Sequence, residues 1–110
     1  MDDVTAHHRY AEAVRAAVTG GGGVTDVSLR AAVLARAGEG TTIAQPYDAL
    51  VQQISEAAYR VTDAQVADVR AVTGSDKSAF EIIMSACIGA GLSRWDAATR
   101  AIEEVDDATP

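Results

Sequence analysis

The chain is poor in several residue types, and these shortages narrow its possible functions. Its 110 residues include one cysteine, two prolines and 5% aromatic residues, and nine basic residues stand against sixteen acidic ones. A single cysteine excludes an intramolecular disulfide. Because the net charge is −7 and binding to phosphates depends on clustered Lys and Arg, we expect no nucleic-acid and no anionic-membrane partner.

Long apolar runs and a leader-like start are also missing. The opening residues MDDVTAHHRY lack the basic and then apolar pattern of a signal peptide, and the longest apolar run is too short to span a bilayer. We therefore expect a soluble, cytoplasmic protein. The length corresponds to one domain with a modest core, which self-association would extend.

Apolar residues recur at helical spacing between glycine-rich breaks, and no stretch alternates with a period of two. This pattern predicts an all-α fold of about five or six helices. The four glycines that end at residue 23 divide the chain. We expect a helical arm with a flexible glycine linker at 1–23, a helical domain at 24–105 and an acidic tail at 106–110.

Capping signals predict where the later helices begin and end. Thr62 and Gln65 form a capping box, and Gly74 is a typical C-terminal stop. Ser75 is placed to cap a fifth helix that we expect to end near Gly91. Ser93 then resembles the start of another helix.

Glu81 is the first candidate for chemistry, because it lies between Phe80 and Ile82 in the predicted fifth helix. Partial desolvation there would raise its pKa and suit it to proton transfer. The alternative is a carboxylate that only complements a helix N-terminus.

Cys87 and the small residues around it favour packing over chemistry. No cation within a helical turn would stabilise a thiolate, so we expect an inert core thiol. Small residues recur every four positions and let another backbone approach, either within the chain or at a subunit interface. They are Ser85, Ala86, Gly89 and Ala90.

The sequence offers no convincing metal or cofactor site. His7 and His8 are adjacent, so on a helix they point about 100° apart, and no third ligand is near. Tyr59, with the arginine after it, could face a pocket at a helix junction, or it could be an aromatic core anchor. We expect no metal and no cofactor.

Two stretches, AYRVTDAQVADVRAVTG at 58–74 and AFEIIMSACIGAGLSRWDAA at 79–98, resemble a known family. They look like the carboxymuconolactone decarboxylase-like, or alkylhydroperoxidase AhpD-like, helical proteins, especially a group of short bacterial members. The resemblance covers roughly residues 46–104. It implies an AhpD-like helical bundle that forms a homo-oligomer.

The redox residues of that family have no counterpart here. In its peroxidase branch a glutamate precedes a Cys-x-x-Cys pair by twelve residues, and a histidine follows four residues later. Glu81 matches the glutamate, whereas Ser93 and Asp96 stand at the cysteine positions and Arg100 at the histidine position. A serine hydroxyl stays protonated where a thiol would be activated, which argues against a thiol peroxidase.

Two functions follow as hypotheses. The decarboxylase branch, as the resemblance implies, acts on a small organic acid without the cysteine pair. Here Glu81 would move a proton, Arg100 would bind the anion, and Tyr59, Ser93 and Asp96 would contact the substrate. The alternative is a non-catalytic helical module that assembles with itself or a partner through the small residues of the fifth helix.

Overall fold

The computed structural model describes residues 2–38 and 40–108 and confirms the all-α fold. No β-strand occurs in this part of the chain. It contains five α-helices and one short 3-10 helix at Ala58–Arg60. The α-helices are α1 (Asp2–Val18), α2 (Val27–Gly38), α3 (Tyr47–Ala57), α4 (Asp63–Thr73) and α5 (Asp76–Ala108).

The core forms where α2, α3 and α4 pack on the first half of α5. Apolar side chains at helical spacing turn one face of each helix inward, and burial of these faces stabilises the fold. The largest fully buried apolar side chains are Val33, Leu50, Val51, Val69 and Ile82.

The caps predicted at Thr62, Gly74 and Ser75 are confirmed, whereas the helix start predicted at Ser93 is wrong because α5 runs through it. Gln65 donates its backbone N–H to the Thr62 hydroxyl at 3.2 Å and accepts from the Thr62 backbone at 3.0 Å. Gly74 ends α4 in the left-handed conformation, with φ of 93°. Ser78 donates its backbone N–H to the Ser75 hydroxyl at 3.1 Å, so Ser75 caps α5.

The predicted break near Gly91 is wrong, because α5 continues from Asp76 through Gly91 and Ser93 to Ala108. A glycine inside a helix costs only about 1 kcal/mol. Packing of this region on α2 and α1 offsets that cost. Residues 106–108 of the predicted acidic tail continue α5, while 109 and 110 lie outside the described residues.

The small residues of α5 are occupied within the chain. Ser85, Ala86 and Ala90 are buried, and α2 crosses α5 at Gly89. A Cβ at Gly89 would overlap the Leu34 carbonyl oxygen of α2. The prediction that these small residues serve packing within the chain is therefore confirmed. The alternative prediction, that they form a subunit interface, is wrong because α2 covers them.

Cys87 is exposed on the opposite side of α5, so the prediction of a core thiol is wrong. The apolar residues around it in sequence made it look buried. On a continuous helix, however, its position points away from the face that carries Ala86 and Ala90.

The first helix packs on the core helix. Arg15 contacts Asp96 and His8 contacts Glu103, while Val18 lies near Met84 around a shared cavity. Because these contacts run in opposite order along the two helices, α1 lies antiparallel to α5. The described part of the predicted arm, residues 2–23, therefore rests along the helical domain.

A buried carboxylate fixes the connection between α2 and α3. Asp48 accepts from Arg36 Nε at 2.6 Å and from the Ile43 backbone N–H at 3.1 Å. These two donors lower the pKa of Asp48 against the opposing effect of burial. The end of α2, which forms one wall of the groove described below, is thereby held in place.

Candidate functional site

Glu81 binds the chain segment that leads into α2. Its Oε2 accepts from the Val24 backbone N–H at 2.8 Å. Its Oε1 accepts from the Thr25 backbone N–H at 3.0 Å and from the Thr25 hydroxyl at 2.7 Å. These donors stabilise the charged carboxylate and lower the pKa of Glu81 to about 2.

The predicted rise in the pKa of Glu81 is therefore wrong. Burial does act in the expected direction, but three hydrogen bonds and the nearby Arg30 outweigh it. A proton-transfer group works best when its pKa lies near the working pH. With a pKa of about 2, Glu81 stays ionised near neutrality and serves as a structural anchor.

Arg30 is a buried charged side chain that the sequence reasoning missed. It is only 4% exposed, and its guanidinium lies 3.5 Å from Glu81 Oε1. Its Nε donates to the Val18 carbonyl at 2.8 Å, and its terminal nitrogens donate to the carbonyls of Gly20 and Thr25. Arg30 thus holds the backbone of the glycine linker in place through hydrogen bonds.

One sequence signal could have identified this arginine. Arg30 precedes Val33 by three residues and Ala37 by seven, so all three share the inward face of α2. A charged residue at an inward position is almost always paired. The local pattern does not show which partners it finds, because they come from distant parts of the chain.

The cluster formed by Arg30 and Glu81 also explains why a glycine stands at residue 23. A Cβ at Gly23 would lie 2.6 Å from an Arg30 nitrogen and 2.7 Å from Glu81 Oε1, so a larger residue would push these two side chains out of their present positions. A small cavity of about 200 Å³ remains beside the ion pair. Because Arg30 and Glu81 are already bound to the protein, we assign this cluster to stability.

A larger open groove lies between α1, the end of α2 and the second half of α5. Its volume is about 670 Å³, and three predicted site residues line it: Ser93, Asp96 and Arg100. They share this wall because spacings of three and four residues place side chains on one side of a helix. The other lining residues are His8, Arg15, Leu34, Ala35, Gly38, Gly40, Gly89, Thr99 and Glu103.

Some of the charged side chains that line the groove contact an oppositely charged partner, and Arg100 does not. Arg15 binds Asp96 at 3.2 Å, and His8 lies 3.9 Å from Glu103. Arg100 donates its Nε to the Asp96 backbone carbonyl at 3.3 Å and forms no ion pair with the described residues. One guanidinium in the groove therefore keeps donors for a ligand.

The structure does not bring the five predicted site residues together. Glu81 and Arg100 lie on one continuous helix, 19 positions apart. At a rise of about 1.5 Å per residue, that separation is about 28 Å. Tyr59 is 88% exposed on the 3-10 helix and lines neither cavity. A pocket that contains both Glu81 and Arg100 would have required the chain to turn near Gly91.

Among residues 2–38 and 40–108, no group of three or more His, Cys, Asp or Glu side chains is placed to hold a metal ion. No helix in the same ranges is long and apolar enough to cross a membrane. No family model, curated protein or solved structure matches the chain. The resemblance to the AhpD-like family therefore stays a prediction.

Proposed function

We propose that the protein binds a small organic acid in the groove between α1, α2 and α5, with Arg100 as the main contact to the carboxylate. The observation that carries this proposal is the Arg100 guanidinium, which lines the groove and has no ion pair among the described residues. A guanidinium is well suited to bind a carboxylate through two parallel hydrogen bonds.

The rest of the groove supports a small ligand of modest charge. The volume of about 670 Å³ lies within the range of about 300–1,000 Å³ that is usual for small-molecule sites. Asp96 and Glu103 also line it and would repel a polyanion. Ser93 adds a hydroxyl on the same wall. We therefore favour acids with one or two carboxylates.

Binding is favoured over the acid and base chemistry that the family resemblance implies. Glu81 lies about 28 Å from Arg100 along α5 and is ionised near neutrality. It is not available to move a proton on an acid held by Arg100. The cytoplasmic location of the protein and its membership of the AhpD-like family stay predictions.

Calorimetric titration with acetate, succinate and benzoate tests the proposal, supported by thermal shift. We expect saturable binding of at least one acid, weakened about tenfold or more in Arg100→Ala because a charge-assisted hydrogen bond is lost. Arg60→Ala is the matched control, since it removes an exposed arginine outside the groove. Equal affinity of the Arg100→Ala and Arg60→Ala variants for the acid, or no saturable binding by the wild type, would contradict the proposal.

Self-assembly is the second candidate function. It is favoured by the exposed apolar side chains on α1 and α5, among them Tyr10, Ile102 and Val105. The face that carries them differs from the small-residue stripe that the sequence suggested.

A further inference from the structure

An apolar stripe runs along the outer side of α5. Seven of its eight members are exposed, and Trp95 is half-buried. From its first member to its last, the stripe advances 25 positions in seven steps. The mean step of about 3.6 positions equals the helical repeat, so the stripe runs straight along the helix. Its members are Phe80, Met84, Cys87, Gly91, Trp95, Ala98, Ile102 and Val105.

The first helix widens this surface. Tyr10 is 69% exposed, and Val14, one turn later, is 42% exposed. His7 lies on the same side of α1 and contacts Trp95 edge to face, with ring centroids 5.4 Å apart. Tyr10, Val14 and the α5 stripe therefore form one surface, which we call the outer face.

The stripe is complementary to itself when a second copy is laid against it in the opposite direction. Pairing Phe80 with Val105 of the second copy sets Met84 opposite Ile102 and Cys87 opposite Ala98. Gly91 then lies opposite Trp95, the largest side chain of the stripe. No atom stands within 4 Å of where a Gly91 Cβ would be, so there is room for the indole.

An apolar cavity fits the same register. A depression of about 270 Å³ is lined by His7, Trp95, Ala98, Thr99 and Ile102. The register places Met84 of the second copy opposite Ile102, where its flexible side chain can fill this space.

The charges at the two ends of the stripe agree with this pairing. Lys77 lies one turn before Phe80, Asp106 follows Val105, and neither forms an ion pair within the described chain. The antiparallel register brings Lys77 of one copy beside Asp106 of the other. Arg94, at the edge of the stripe, donates to the Ser55 carbonyl at 2.6 Å and so points away from it.

The size of the outer face suits a weak, reversible dimer. The stripe is about 37 Å long and one helix, about 10 Å, wide, and the part of α1 from His7 to Val14 adds about 10 Å of a second helix. These dimensions give about 470 Å² per copy, or about 950 Å² in total, which is the size of transient interfaces. A contiguous exposed apolar patch of several hundred Å² often marks an interaction site.

We infer that a second copy of this chain covers the outer face, with the two α5 helices antiparallel about a twofold axis near residues 92 and 93. The two α1–α5 pairs then form a four-helix arrangement. The inference rests on the second candidate function, self-assembly, and specifies its surface and register. That surface lies outside the acid-binding groove, so the inference does not depend on ligand binding.

The mass of the full chain in solution is the first test. Light scattering after size exclusion, over a range of concentrations, should give a dimer that dissociates on dilution. Ile102→Asp should weaken the dimer at least about 100-fold, because it buries an unpaired charge. Val72→Asp, at an exposed valine of α4, should leave the dimer unchanged. A wild-type monomer at millimolar concentration, or equal effects of both variants, would overturn the inference.

Oxidative cross-linking tests the register independently. In the antiparallel pair the two native Cys87 residues are about 17 Å apart along the helix axis, too far for a disulfide. In Ala98→Cys the new thiol faces Cys87 of the second copy, so we expect rapid formation of a disulfide-linked dimer. Ala97→Cys, whose side chain is turned off the stripe, is the matched control.

Two cross-linking results would contradict this register. One is rapid disulfide formation in the wild-type protein, which would indicate a parallel arrangement. The other is equal cross-linking of Ala98→Cys and Ala97→Cys, which would indicate random collisions.

Discussion

Arg30 and Glu81 lie 3.5 Å apart, and both are hydrogen-bonded to Thr25. Arg30 comes from α2 and Glu81 from α5, two helices that are far apart in the sequence. The pair therefore joins both helices to the segment that connects α1 and α2. Arg30 also binds the carbonyls of Val18 and Gly20 on the other side of that segment. The four-glycine stretch is therefore anchored at both ends, although its composition suggests a loose joint.

The ionised state of Glu81 predicts a pH-dependent contribution to stability. Its pKa in the folded chain is about 2, below the ordinary value of 4.5. Its contribution is therefore fully present above about pH 4.5 and is lost as the pH falls towards 2. Glu81→Gln should destabilise the protein at neutral pH, and its difference from the wild type should shrink over this range.

Urea unfolding of both proteins at several pH values between 2 and 7 measures this difference. Asp48 contributes to acid unfolding in both proteins, because its pKa is also lowered, and the comparison cancels that effect. A difference between wild type and Glu81→Gln that stays constant over the whole range would contradict the assignment.

Replacement of Arg30 should be among the most damaging single changes. Arg30→Met keeps the aliphatic stem but leaves Glu81 and the carbonyls of Val18 and Gly20 without their donor. Breaking a buried pair in this way costs about 3–5 kcal/mol. Chemical denaturation should show this loss, and hydrogen exchange should show faster opening of residues 18–25. Arg60→Ala is the exposed control, and a similar loss in both variants would refute the role of Arg30.

The two glycines of α5 provide a matched pair of substitutions. Gly89→Ala would place a Cβ against the Leu34 carbonyl oxygen and 3.0 Å from the Ala37 Cβ, so α2 must move. We expect a loss of about 1–3 kcal/mol. Gly91→Ala meets no atom within 4 Å and should instead stabilise the helix by up to about 1 kcal/mol.

Thermal unfolding at low protein concentration separates these effects from any dimer formation. Opposite signs for Gly89→Ala and Gly91→Ala are the expected result. A stabilising Gly89→Ala would show that α2 does not approach α5 closely at this point.

The capping box at the start of α4 has a measurable contribution. Thr62→Ala removes the hydroxyl that accepts from the Gln65 backbone N–H, which should cost about 1 kcal/mol. Thr41→Ala, at an exposed threonine outside the helices, is the control and should have little effect. Urea denaturation of the two variants compares them directly, and equal midpoints would argue against the cap.

Local signals alone determined much of the secondary structure. Helical periodicity predicted the all-α fold, and the capping box at Thr62 and the stop at Gly74 gave the bounds of α4. These features depend on residues within one turn of each other, so they are readable from the sequence. The same reasoning failed at Gly91, because the cost of a glycine in a helix is small enough for packing to override it.

Tertiary structure alone decided the arrangement of the candidate site. A continuous α5 separates Glu81 from Arg100 and leaves Ser93, Asp96 and Arg100 on the wall of one groove. The pKa of Glu81 depends on donors more than 50 positions away in the sequence. Because hydrogen bonds and burial depend on which segments meet, the sequence determined the helices and their candidate groups, while the packing decided which groups act together.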